Sequence, residues 1–133
     1  MTAAATALRS ALRARLIADA VLDTLIGGRV HDAVPGDPVY PYVTFGPCAW
    51  VADGSKTAGG QRHVVDLVIW SRHRGQAEAE AILAALHTAL DRVPLGLEPA
   101  AVWRAGRITG AGVQRVPDGA TWRGEARYEA LTV

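Results

Sequence analysis

Arg62-His63-Val64-Val65-Asp66-Leu67-Val68-Ile69-Trp70-Ser71 is the run on which the fold turns. Successive side chains on a strand point to opposite faces, so the run divides into two rows. The odd row holds Val65, Leu67 and Ile69, all aliphatic, and belongs against helices. The even row holds Val64, Asp66, Val68 and Trp70. A sheet with one solvated face carries polar residues in that row, yet three of these four are apolar. The second face is therefore expected to meet something too, either another strand layer or another subunit.

Helices to cover the odd row are legible on both sides. Downstream, Gly75-Gln76-Ala77-Glu78 opens a helix predicted over Gln76–Arg92, with Ile82, Leu86 and Leu90 as its apolar stripe. Ala81, Ala85 and Ala89 beside the stripe permit close approach to a sheet, and Pro94 follows the end. Glu78 near the start and Arg92 at the finish suit the helix dipole. Upstream, Leu8, Leu12 and Leu16 stripe a helix predicted over Thr2–Ala18, with Arg9, Arg13 and Arg15 off the stripe. Asp19 is the expected N-cap of a short helix over Ala20–Ile26, and Gly27-Gly28 its stop.

Further strands follow from alternation and from turn residues. Pro35 to Pro41 carries three prolines and reads as a loop, followed by strand character over Tyr42–Phe45 that is bulged or at an edge by Pro47. Val51–Gly60 is small and polar and reads as a long loop. Ala101–Thr109 and Val113–Val116 are strand-like, with a bulge or kink expected at Gly110 and Gly112. Pro117-Asp118-Gly119 is a turn. Thr121–Thr132 then alternates, Trp122, Gly124, Ala126, Tyr128 and Ala130 on one face, Arg123, Glu125, Arg127 and Glu129 on the other. The elements make one α+β domain over residues 1–133.

Composition narrows the functional classes. Half of the 133 residues are hydrophobic and a fifth are charged, which excludes a disordered chain. Fourteen Lys+Arg against thirteen Asp+Glu leave a net charge of +1, so no bulk electrostatic drive toward nucleic acid or an anionic membrane exists. Cys48 is the single cysteine, so no internal disulfide forms, and it reads as a small hydrophobe. No apolar run reaches the roughly 18–20 residues of a membrane span. The leucine spacing favours an ordinary amphipathic helix at the N-terminus over a transit peptide.

No catalytic constellation emerges. His31, His63, His73 and His87 stand at no metal-ligand spacing to one another or to Cys48. His31 and Asp32 are adjacent and so point to opposite faces of a strand. Gly54–Gly60 lacks the spacing of a phosphate loop, and no serine sits in a nucleophile elbow. Trp50, Trp70, Trp103 and Trp122 with Arg62, Arg72 and Arg74 raise single-strand nucleic-acid binding. The interspersed Asp66, Glu125 and Glu129 weigh against it, and the tryptophans read as core and interface anchors.

The order of signals resembles a known family. The leucine-striped first helix is followed by Tyr40-Pro41-Tyr42-Val43-Thr44, by Ser55-Lys56-Thr57 in a loop, and by a strand ending Ile69-Trp70-Ser71. Gly75 with Glu78-Ala79 opens a helix, and the chain closes with Pro117-Asp118-Gly119, Thr121-Trp122 and Gly124. This resembles, over nearly the whole chain, the tail-completion or tail-terminator proteins of long-tailed phages, prophages and gene transfer agents. Members often carry His between that Trp and Gly, where this chain has Arg123. The resemblance implies a mixed sheet flanked by helices; with the residue patterns above, the expected fold is α+β, a mixed, mainly antiparallel sheet with two long helices packed on one face. The resemblance also implies a homo-hexameric ring at the head-proximal end of the tail, in a virion or gene-transfer-agent particle assembled in the host cytoplasm. The implied partners are further copies of the chain, the major tail tube protein and the head–tail connector or stopper. DNA is passing cargo, and no enzyme activity, cofactor, metal or membrane is implied. Expected contact residues are Lys56 and Arg62 at the loop, Val64, Val68 and Trp70 on the second sheet face, and Arg123, Glu125 and Arg127 in the charged row. The alternatives are a small ligand- or RNA-binding α+β module, or an enzyme subunit whose site is shared across an oligomer interface.

Overall fold

In the computed structural model, which describes residues 3–52 and 60–133, the strand read first from the sequence lies at the middle of the sheet. The elements run α1 (Ala3–Ala18), α2 (Ala20–Ile26), β1 (Val30–His31), β2 (Tyr42–Ala52), β3 (Gln61–Ser71), α3 (Ala77–Leu90), β4 (Trp103–Arg115) and β5 (Trp122–Thr132). The five strands lie in the order β1-β2-β3-β5-β4. Only β1 pairs in parallel; β2–β3, β3–β5 and β4–β5 are antiparallel. The sheet is thus mixed and mainly antiparallel, and the protein is α+β.

One face of this sheet carries the core. Val65, Leu67 and Ile69 of β3 stand opposite Tyr128, Ala126 and Gly124 of β5, all on the helix side. They join one buried cluster with Leu8, Leu12 and Leu16 of α1, Leu22 and Ile26 of α2, and Ile82, Leu86 and Leu90 of α3. Burying each large aliphatic side chain stabilises the fold by about 1.5–3 kcal/mol. The small residues Ala79, Ala85 and Ala89 are buried with the α3 stripe and let the helix lie close to the strands.

Local signals set several element ends. The Asp19 side chain accepts from the Leu22 backbone N–H, capping α2, and Gly27 closes it at φ 58°. Asp118 accepts from the N–H groups of Ala120 and Thr121 and from the Thr121 hydroxyl, shaping the turn into β5. Those bonds hold its carboxyl below the ordinary carboxylate range.

Three boundaries depart from the expected ones. β2 continues past Pro47 to Ala52, because β1 pairs only with Val43 and Thr44 and the rest of that edge has no strand partner among the described residues. A register shift between Phe45 and Cys48 absorbs the proline. The two strand-like stretches expected within 101–116 merge into one long strand, β4 (Trp103–Arg115), irregular between Ile108 and Gly110. The third helix ends at Leu90, two residues short of Arg92, which takes φ 60°. The segment after α3 is tied to β4: the Arg92 N–H donates to Gly106 O at 2.9 Å, and the Asp91 carboxylate accepts from the Ile108 N–H at 2.9 Å. These bonds cover part of the otherwise open β4 edge. Among the described residues, no helix is long and apolar enough to cross a membrane.

Candidate functional site: the uncovered sheet face

All of the helices' buried stripes meet one face, so the other lacks a second layer among the described residues. Strand register arranges this outer face in transverse rows. Tyr42, Trp70, Arg123 and Gln114 make the row at one end; Thr44, Val68, Glu125 and Gly112 come next. Asp66, Arg127 and Gly110 follow, then Ala49, Val64, Glu129 and Arg107, and finally Val51, Arg62, Leu131 and Ala105.

Much of this face is organised by its own side chains. Trp70 is half-buried: its indole N–H donates to the Thr44 hydroxyl at 3.0 Å, its ring stacks on Tyr42, and the Arg123 guanidinium lies 5.9 Å from its ring centre. Burial, with Tyr40 alongside, pushes the Tyr42 hydroxyl up to about 12. Val68 is only 3% exposed, enclosed in its own subunit beside Thr44 and Gly46. Val64 is half-buried at the centre of its row.

Three of the four charges in the row on β5 are paired within the subunit. Arg123 donates to Glu125 at 2.7 Å along β5, and Arg127 donates to Asp66 at 3.1 Å directly across the ladder. Asp66, whose side chain is 10% exposed, is the polar member of the even row of β3, and Arg127 satisfies its carboxylate. The pair in turn holds the Arg127 guanidinium above its ordinary value. Between β4 and β5 an open depression of about 540 Å³ is lined by Gly110, Gly112, Gln114, Arg123, Glu125 and Arg127 among others. Glycines on one wall and oriented charges on the other suit it to a protein surface of complementary charge.

The structure therefore brings Arg62, Val64, Val68, Trp70, Arg123, Glu125 and Arg127 onto one face. Lys56 and the rest of 53–59, the greater part of the expected Val51–Gly60 loop, lie outside the described residues; Val51 and Ala52 belong to β2. Sequence reading missed the Asp66–Arg127 pair, although an acid in an otherwise apolar row signals that a partner is required. It also missed His63, which is 1% exposed and shares a 3.0 Å hydrogen bond with the Thr132 hydroxyl. Burial pushes that imidazole below its ordinary value. His87, by contrast, is exposed and 3.9 Å from Asp91. Among the described residues, no three His, Cys, Asp or Glu side chains gather in a way that would hold a metal ion.

Comparison with known proteins gives a consistent result. A family model described as Tail completion protein gp17 matches residues 10–133. A chain in the virion of a native gene transfer agent particle superimposes with a TM-score of 0.90 at 32% identity, covering 99% of this chain and 98% of that one. The gp17 protein of bacteriophage SPP1 superimposes with a TM-score of 0.64 at 26% identity, covering 96% and 89%. A comparison with curated protein sequences returns no match.

Proposed function

Because the chain belongs to the tail completion protein gp17 family, we propose that it is a tail terminator, a homo-hexameric ring capping the head-proximal end of a tail tube. The ring stops polymerisation of the tube and presents the surface on which the head connector or stopper docks. Its partners are its own copies, the major tail tube protein and the connector, and DNA passes through as cargo. It assembles in the host cytoplasm and works by shape and contact, without catalysis. The observation that carries this reading is the family match across residues 10–133. The one-sided packing supports it, since a face left without a second layer is available to a neighbour.

The contact residues on this reading are Lys56, Arg62, Val64, Trp70, Arg123, Glu125 and Arg127, with Val68 supporting the face from beneath. The alternating signs of Arg123, Glu125, Arg127 and Glu129 reject a shifted pairing, which fixes register between molecules. Imaging of assembled tails is the test. A sixfold ring of this chain at the head-proximal end, with overlong tails when the gene is deleted, is the expected result. Finding the chain elsewhere on the particle, or normal tail length without it, would overturn the proposal.

A further inference from the structure

The large apolar side chains left exposed fall mainly into two groups on opposite edges of the sheet. Val34, at 44%, and Val39, at 62%, lie in the connection from β1 to β2, together with exposed Asp32 and Asp37. Val102, at 46%, Leu131, at 36%, and Val133, at 39%, lie where β5 ends and β4 begins. Beside this second group is a groove of about 630 Å³ lined by Arg62, Arg92, Arg104 and Arg107, with Glu129 its one acid among the described residues. None of those four guanidiniums makes an ion pair with another described residue. In a chain of net charge +1 this is a local concentration of unpaired positive charge.

We infer that the arginine groove at the β4 edge receives the acidic 32–39 connection of a second copy, so that subunits join head to tail. The two surfaces match in kind: valines face valines and leucine, and Asp37, with Asp32 whose carboxylate also lies 4.0 Å from Arg9 of its own chain, faces guanidiniums. They lie on opposite edges of the order β1-β2-β3-β5-β4. At about 4.8 Å per strand spacing they stand roughly 19 Å apart, so they cannot satisfy one another within one chain. Pairing two different patches is heterologous, the type of contact that closes into a ring.

Both surfaces are held in place before contact. Arg29 donates to Pro41 O at 2.9 Å and Arg72 lies 4.3 Å from the centre of the Tyr40 ring, anchoring the end of the connection and reducing the ordering cost of docking. On the other side, Asp91 and Arg92 already occupy backbone groups of Ile108 and Gly106. The contact at that part of the β4 edge is therefore made by side chains and not by adding a strand. A nucleic-acid phosphate is a poorer occupant, because Val102, Leu131, Val133 and Glu129 share the surface.

This inference rests on the ring proposed above, and a charge swap separates the two. Full-length chains carrying Arg104→Glu with Arg107→Glu, Asp32→Arg with Asp37→Arg, or all four changes replace the wild type in particle-producing cells. Ring occupancy on imaged tails is then counted. Each charge-reversed pair should lower occupancy about tenfold or more, and the four-residue swap should return it to within about twofold of wild type. Free variants should melt close to wild type, since all four residues are exposed and the ion pair lost, Asp32 with Arg9, is long at 4.0 Å and lies at the surface. Rings unaffected by either pair, or a loss that the swap does not repair, would overturn the contact while leaving the terminator reading intact. Wild-type tails without rings would overturn both.

Discussion

A Cβ at Gly106 has no free space: it would overlap the Tyr128 hydroxyl and lie 2.9 Å from the Trp103 indole nitrogen. Those two groups are hydrogen-bonded at 2.9 Å, and Tyr128 is fully buried in the core. Gly106→Ala should therefore destabilise by about 1–3 kcal/mol through overpacking, measured by chemical denaturation; a neutral variant would show that the Trp103–Tyr128 pair shifts freely. His63 makes a second prediction at this scale. Burial lowers its pKa from the ordinary 6.5, so near that pH the unfolded chain binds a proton that the folded chain refuses. Its contribution is complete above 6.5 and falls as pH drops from there through the depressed folded value. His63→Gln should lose less stability than wild type between about pH 7.5 and about pH 5.5. Equal losses in the two proteins would place the acid sensitivity elsewhere.

At the level of elements, α3 is held by its stripe and by its end. Leu86 is fully buried on the face that meets the sheet, so Leu86→Ala should cost about 2–5 kcal/mol. A near-neutral result in thermal or denaturant unfolding would show that the stripe is not enclosed. The Asp91 carboxylate links the end of α3 to β4 by accepting the Ile108 N–H. Asp91→Ala should cost about 1 kcal/mol and accelerate amide exchange at Ile108, with the interior of α3 unchanged. Unaltered exchange at Ile108 would mean that its N–H is satisfied in another way. The same link explains how a long edge strand with open positions at Gly110 and Gly112 is prevented from pairing freely at Gly106–Ile108.

For the molecule as a whole, one buried cluster joins α1, α2 and α3 to β3 and β5. The chain should therefore unfold in one cooperative transition. Leu12→Ala in α1 and Leu86→Ala in α3 should each lower that single transition, seen alike by far-ultraviolet circular dichroism and by tryptophan fluorescence. Separate transitions in the two probes would show that α1 is not part of the common core. A single rigid core with one face left open is suited to assembly, because a neighbour can bind the open face without disturbing the packing that holds the subunit together.

The elements legible in the sequence are those set by residues close together in the chain. The leucine stripe of α1, the Asp19 cap and Gly27 stop of α2, the two rows of β3, the Asp118 turn and the alternation of β5 all depend on spacings of a few residues. The family order over the chain was legible for the same reason, as a succession of such local signals. What depended on strand order and register was not. β5 lies between β3 and β4, which sets Arg127 opposite Asp66 across 61 positions of sequence and gives the buried carboxylate its partner. The enclosure of Val68, the passage of β2 through Pro47 and the gathering of Arg62, Arg92, Arg104 and Arg107 into one groove likewise follow from which strands become neighbours. Side-chain periodicity determines which face of its own element a residue takes; only the packing of distant elements determines what that face meets.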